Sequence, residues 1–373
     1  MTDILGALRT KAERLPNIGP FRWLVLVVFV VIGWFWLGAM SAATVAVVLL
    51  ALYYAAAGSS FNLLFGSLGV FSLAQPVFVA VGGYTTAYLY IRHGISPWLS
   101  MLIAMAIAGI LAIPIGFLAM RRPGTVVTAL VTLILSEAVP PIVSAVKALG
   151  SSIGLYLPVK SGTNWSAMQF ASAVPFARIL LIMNALFIAG FMWFARSRWG
   201  GWTTAIRDSD VAARAVGIPV LATRIGVFAA AAMMATLPGV VYAQYNLLSN
   251  TELFLGTSAL FQVLVVALVG GSARPWGTLV GALVMTEISY HLSQAAGGRP
   301  GIGPLTFAGA FLIMALVLPR GISGAWAALF DRQSVRPAAG VGELLRDPLL
   351  GRRREPSQPE PPLVATHHDA DAS

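Results

Sequence analysis

The stretch "FRWLVLVVFVVIGWFWLGAM", residues 21–40, holds a single charged side chain, Arg22, at its edge. A helix rises about 1.5 Å per residue, so a run of this length covers the roughly 30 Å of a bilayer's hydrocarbon. Comparable runs recur along the whole chain. Of its 373 residues 58% are hydrophobic and only 10% charged, with a mean hydropathy of +0.81. A soluble domain carries about a quarter charged residues, and a chain this apolar has too little polar surface to enclose a soluble globule. The fold class that follows is an all-α polytopic membrane protein.

The expected crossings are 21–40, 42–65, 71–91, 98–120, 124–145, 175–195, 223–245, 256–272, 275–293 and 303–319, about ten in all. Two of them leave alternatives open. The second follows the first with almost no loop. The third contains "FSLAQPVF" and reads either as a clean crossing or as a broken or re-entrant helix. Residues 1–20 form a basic N-terminal segment without the small-residue cleavage site of a signal peptide. Residues 331–373, rich in proline, charge and small side chains, read as a disordered tail. Lys and Arg resist translocation and set orientation. With the N-terminus inside, most of the 24 basic residues fall in inside segments, while Arg92, Lys147, Lys160, Arg178 and Arg299 fall outside. Both termini are then cytoplasmic in an inner (plasma) membrane. In such a chain the net charge of +10 reports orientation and not a nucleic-acid partner.

The chain has no cysteine, which excludes disulfides, thiolate metal sites and thiol chemistry. Its four histidines are His93, His291 and the tail pair His367 and His368, so no clustered ligand set for a metal is visible. No Ser–His–Asp arrangement or paired carboxylates stand at a useful spacing. Nor is there a phosphate-cradling "GxxxxGK[ST]" loop, so any nucleotide chemistry belongs elsewhere.

Glycine and proline punctuate the apolar runs. Gly66, Gly69, Gly82 and Gly83 surround Pro76, and small residues let helices approach closely where lipid supplies little drive for pairing. Pro76 is expected to break a helix at membrane depth, where a freed carbonyl needs another partner. Two readings stand side by side: a discontinuous helix lining a transport path, or a kinked packing helix. Ser72, Gln75, Asn62 and Tyr84 either hydrogen-bond a polar solute or repair the backbone there. Pro114, the Pro140–Pro141 pair and "LPG" at 237–239 repeat the pattern, and "GTLVG" at 277–281 marks a close helix contact. Glu137 and Glu287 are the acids well inside expected spans. A charge there is costly and needs interior or aqueous surroundings. Each is either a contact for a solute or ion, or an inter-helix hydrogen bond.

Between the sixth and seventh crossings lies "ARSRWGGWTTAIRDSDVAARAVGIPVLATRIG", residues 195–226. "SDVAARAV" reads as a short helix capped by Asp208, Ser209 or Asp210. Asp210 and Arg214 stand four apart in the favourable order. Gly217 takes the left-handed position at its end, and Pro219 forbids continuation. So short a helix is marginal alone; it is either a static cap or a surface for a soluble partner.

Three stretches then resemble a known family: "NLLFGSLGVFSLAQPVFVAVGGYTTAYL" at 62–89, "RAVGIPVLATRIGVFAAAAMMATLPGVVYAQY" at 214–245, and "GGSARPWGTLVGALVMTEI" with "ALVLPRGISG" at 270–288 and 315–324. In this order they are similar to the LivM-like permeases of branched-chain amino-acid ABC importers. The resemblance implies a path formed with a second, LivH-like permease subunit. It implies two cytoplasmic ATPases that bind ATP and Mg²⁺, and a periplasmic solute-binding protein. It also implies that Arg207, Asp208, Asp210, Ala212, Ala213 and Gly217, in a coupling loop at 196–222 of a permease domain spanning 21–330, meet the ATPase. The substrate path would include Ser72, Gln75, Pro76, Tyr84 and Glu137. "ALGSSIGLYLP" at 148–158 lacks a double glycine the family often carries, and "GGSARPWG" places Arg274 unusually, which bears on the solute more than on the fold. The competing reading is a secondary transporter or channel coupled through Glu137.

Overall fold

The computed structural model describes residues 20–121, 124–159, 163–271 and 276–295, together with 305, 308, 309 and 312. These lie in one compact unit, Met1–Arg332. The expectations for 1–19, for most of 303–319 and for the tail 331–373 fall outside the described residues.

The regular elements of the described residues are helices and one ribbon of two short strands. An isolated bridge joins Asn164 and Gln169 in the irregular stretch after the fifth helix. The helices are α1 (Pro20–Ala39), α2 (Ala42–Leu68), α3 (Gln75–His93), α4 (Pro97–Met120) and α5 (Thr125–Ala145). After β1 (Leu155–Tyr156) come α6 (Ala173–Arg196), α7 (Arg198–Asp208), α8 (Asp210–Ala215) and α9 (Val220–Asn246). Beyond β2 (Leu248–Ser249) follow α10 (Thr251–Leu255), α11 (Thr257–Gly270) and α12 (Gly277–Ala295). Six stretches are long and apolar enough to cross a membrane: Ala42–Leu68, Pro97–Met120, Thr125–Ala145, Ala173–Arg196, Val220–Asn246 and Thr251–Gly270. The protein is thus multi-pass and all-α, with six such crossings among the described residues where the sequence suggested about ten.

The first two helices are distinct despite their near-contact. Ser41 caps α2, its Oγ accepting from Thr44 N at 3.3 Å. The third expected crossing is broken, but not where the proline suggested. α2 ends at Leu68, Gly69 turns the chain at φ 68°, and residues 69–74 have no regular structure before α3 begins. Pro76 sits in the first turn of α3, where its missing N–H would lack a helical partner anyway. The unwound segment is a strap running back along α2. Gln75 meets Ser60, eight residues before the end of α2, which places the start of α3 about 12 Å in from that end. α3 then continues through the bundle to the β ribbon, where Tyr90 packs with Leu157, and it is not one of the six stretches long and apolar enough to cross.

The core is organised around α9, which packs on α2, α3 and α4. The α3–α9 crossing is a backbone contact: a Cβ at Gly82 would lie 2.0 Å from Thr236 O, and one at Gly239 2.0 Å from Val79 O. A run of rings fills the bundle from the ribbon end to its middle. Trp165–Phe170, Phe170–Phe176 and Phe176–Tyr245 centroids lie 4.7, 5.0 and 5.5 Å apart, and Tyr53 stacks on Tyr242 at 4.1 Å. α5 is built inside out. Its buried residues are Thr128, Thr132 and Ser136, one polar stripe at helical spacing, while Val126, Leu130, Ile134 and Ile142 are exposed.

Candidate functional site

Two regions carry the candidate residues: the unwound strap and the loop between α6 and α9. In the strap the backbone is satisfied by neighbours. Leu73 N donates to Thr132 Oγ1 of α5 at 3.0 Å, and Ala74 N donates to Ser72 Oγ at 3.4 Å. Ser60 Oγ donates to Gln75 Oε1 at 3.2 Å, while Gln75 Nε2 is buried with no acceptor among the described residues. Ser72 and Gln75 therefore hold the break open, each by a bond to the chain itself, and Gln75 keeps donor capacity in reserve.

Tyr84 does not join them. It lies nine residues along α3, about 13 Å away along the axis, buried with its hydroxyl unpartnered among the described residues. Glu137 is exposed on the flank of α5, beside the buried Ser136. It is five residues beyond the Thr132 that ties the strap, about 7 Å further along the helix. Glu287 is exposed and paired, its Oε1 3.0 Å from His291 Nε2 one turn on. Glu252 is a residue that sequence reasoning missed. It is exposed in the first turn of α10, a helix of five residues that packs on α3 and α5. Ser249 Oγ reaches Gly83 O at 3.1 Å, so this part of the chain dips to the middle of α3.

The loop is more ordered than its sequence advertised. α7 precedes the expected helix and buries Gly200, Thr203 and Ile206. Ser209, not either aspartate, caps α8, its Oγ accepting from Ala212 N at 3.3 Å. Gly217 has the expected left-handed backbone, φ 82°. Asp210 does not pair with Arg214. Arg224 Nη2, from the first turns of α9, donates to both Asp210 oxygens at 2.7 and 2.8 Å. Local i,i+4 spacing favours Arg214 only while α8 is considered alone; once α9 turns back beside it, Arg224 is closer and less exposed.

Arg207 makes the second tie. Its Nη1 donates to Gly66 O at 2.7 Å, in the last turn of α2, and its stem lies 3.5 Å from where a Gly69 Cβ would be. Carbonyls at a helix C-terminus lack helical partners and attract cations. Arg207 therefore closes the end of α2 at the point where the strap begins. Of α8 itself only Ala213 is buried. Ala212 and Asp208 are exposed, and so are Val211 (79%) in α8 and Val216 (62%) at its C-terminal cap, two apolar side chains outside the core. Beside it lies a shallow cavity of about 240 Å³ lined by Arg214, Pro219, Val220, Leu221 and Ala222.

Among the described residues no group of three or more His, Asp or Glu is placed to hold a metal. The comparisons with known proteins bear on this architecture of crossings and exposed loop. A profile described as "branched-chain amino acid transport system / permease component" matches residues 43–319. The chain belongs to this family. It is 23% identical over 323 residues to the high-affinity branched-chain amino acid transport system permease protein LivM of Escherichia coli (strain K12), covering 80% of this chain and 74% of that one. It is 29% identical over 119 residues to the probable ABC transporter permease protein y4mJ of Sinorhizobium fredii (strain NBRC 101917 / NGR234), 30% of this chain and only 33% of that one. A 29% identity over 159 residues relates it to the probable ABC transporter permease protein YphD of Escherichia coli (strain K12), covering 40% and 46% of the two chains. No solved structure gives a significant match. The protein is a membrane permease of the ABC-transporter superfamily.

Proposed function

We propose that the chain is the LivM-like permease subunit of an ATP-driven importer in the bacterial inner membrane. Its solutes are branched-chain amino acids or related small polar or carboxylic compounds, moved by alternating access. Pro20–Ala39, Gln75–His93, Gly277–Ala295 and residues 303–319 complete about ten crossings, with both termini and the α7–α8 loop cytoplasmic. The observation that carries the reading is the exposure of Val211 and Val216, within and just after α8, in a loop that Arg207 and Asp210 tie to the membrane helices. Exposed apolar side chains on a rigidly held element suit a docking surface. Two cytoplasmic ATPases that bind ATP and Mg²⁺ would meet it through Asp208, Ala212, Ala213 and Gly217.

The path runs at the flank of the subunit. The ring ladder from Trp165 to Tyr53 occupies the bundle's middle, whereas α5 turns Glu137 outward next to the strap. A second, LivH-like permease subunit would face α5, with Ser72, Gln75, Pro76 and Tyr84 controlling the strap's shape and a periplasmic binding protein delivering solute. In proteoliposomes, uptake is expected only when partner permease, ATPases and binding protein are present. Prolines at Ala212 and Ala213 are expected to abolish uptake while the subunit still inserts and co-purifies with its permease partner. Undiminished solute-stimulated ATPase and uptake in that double variant defeats the assignment.

The exposed Glu137, without an ion pair among the described residues, favours one other reading, a secondary transporter coupled through that carboxylate. It predicts gradient-driven uptake by this chain alone, lost in Glu137→Gln. Under the importer reading the chain alone transports nothing. Glu137→Gln in the full complex then lowers uptake of solutes bearing an ammonium group about tenfold, the worth of one charge-assisted hydrogen bond, and leaves basal ATP hydrolysis intact.

A further inference from the structure

Arg178 stands in the second turn of α6, near the membrane face opposite the α7–α8 loop. A cation there is opposed by the positive end of the helix dipole, and among the described residues no carboxylate is within ion-pair range of it. Yet the guanidinium is held firmly. Its Cζ lies 4.5 Å over the Trp34 ring of α1, and Nη2 donates to Trp34 O at 3.4 Å. Nε is enclosed by protein with no acceptor among the described residues. Compensation for the charge must therefore arrive at the outer, Nη edge. That edge is left open by Gly38, an exposed residue where a Cβ would lie 3.0 Å from Nη2. The surroundings are those of a lipid-facing surface. α1 packs on α6 and exposes Ile32, Phe35 and Trp36 around the notch. Trp34 and Trp36 lie in the last turns of α1, and tryptophan is enriched where membrane helices end at the headgroups.

We propose that Arg178, Trp34 and Gly38 form a binding site for the phosphate of a phospholipid in the leaflet opposite the α7–α8 loop. Trp34 covers one face of the guanidinium, and the Gly38 notch admits phosphate oxygens to its free edge, the planar fork that suits bidentate phosphate contact. The acyl chains lie along Phe35 and Ile32. The site pins α1, the most peripheral described helix, against α6, and it holds whether or not the chain is driven by ATP.

The test is native mass spectrometry of the full chain in mild detergent, titrated with phosphatidylglycerol. Wild type is expected to retain a tightest-bound lipid, which Arg178→Lys, keeping the charge without the fork, binds more weakly and Arg178→Gln about tenfold more weakly. Gly38→Leu, which keeps the arginine but fills the notch, is expected to weaken the same site and guards against a folding defect in Arg178→Gln. Equal lipid affinity in Arg178→Gln and wild type overturns the proposal. So does full competition by inorganic phosphate alone, which would make the ligand a free anion. Loss of the second permease subunit in Arg178→Gln with lipid affinity unchanged also overturns it, since the face would then be a protein interface.

Discussion

Transporters carrying Arg207→Ala are expected to keep hydrolysing ATP while solute uptake falls about tenfold or more, so that the ratio of solute moved to ATP consumed collapses. The hydrogen bond lost is the 2.7 Å contact from Nη1 to Gly66 O. Being exposed, it contributes only about 1 kcal/mol, a small part of the roughly 5–15 kcal/mol typical of a folded domain. Insertion and assembly should therefore survive. The loop also stays docked, because Asp210 remains clasped by Arg224. What disappears is the one tie, among the described hydrogen bonds, between the loop and the end of α2, immediately before Gly69 and the strap. The strap is fastened in turn to α5 through Leu73 and Thr132. A displacement of α8 thus has a continuous route of bonded groups to the flank that bears Glu137, and Arg207 is its first link. Lysine at 207 keeps the charge without the fork and should restore part of the ratio. An unchanged ratio of uptake to hydrolysis in Arg207→Ala would remove Arg207 from that route.

Much of this architecture is legible in the amino-acid sequence. Apolar runs of about twenty residues locate helices because hydrocarbon thickness fixes their length, and the described helices follow the expected ones closely. The left-handed Gly217 and the short α8 are legible too, since local turn chemistry decides them. The failures share a cause, which is that the deciding partner is remote in the chain. Pro76 is a conspicuous breaker, but the unwinding lies at 69–74, where it is sustained by Thr132, 59 residues away from Leu73. Asp210 finds Arg224, 14 residues on, because α9 doubles back. Glu252 is hidden by a boundary error: the expected crossing begins at 256, whereas Gly256 only separates α10 from α11. The candidate path residues split for the same reason. Ser72 and Gln75 meet at the strap, while Tyr84 and Glu137 lie on other faces that no sequence spacing relates.

Gly82→Ala should be among the most damaging single methyls within the described residues. The added Cβ would stand 2.0 Å from Thr236 O, 2.8 Å from Thr236 C and 3.0 Å from Thr236 Cα, all backbone atoms of α9 that have no rotamer to change. Relief requires α3 and α9 to part by about 1 Å, and a packed interior does not absorb such a shift locally. Small-to-large changes in cores cost about 1–3 kcal/mol, and a backbone collision belongs at or above the top of that range. α9 also packs on α2 and α4, so separation spreads into the centre of the bundle. The expected result is a sharp fall in the amount of monodisperse protein extracted from membranes and a lowered unfolding temperature. Gly239→Ala, with its Cβ 2.0 Å from Val79 O, strikes the same crossing from the other side. Once the helices have parted for one methyl the second costs less, so the double variant should be less damaged than the sum of the singles. Gly190→Ala supplies the control of opposite sign. It lies within α6, and its Cβ would meet nothing within 4 Å, so helix propensity favours alanine by about 1 kcal/mol. If Gly82→Ala and Gly190→Ala unfold at the same temperature, backbone contact between α3 and α9 is not what holds the strap's helix in place.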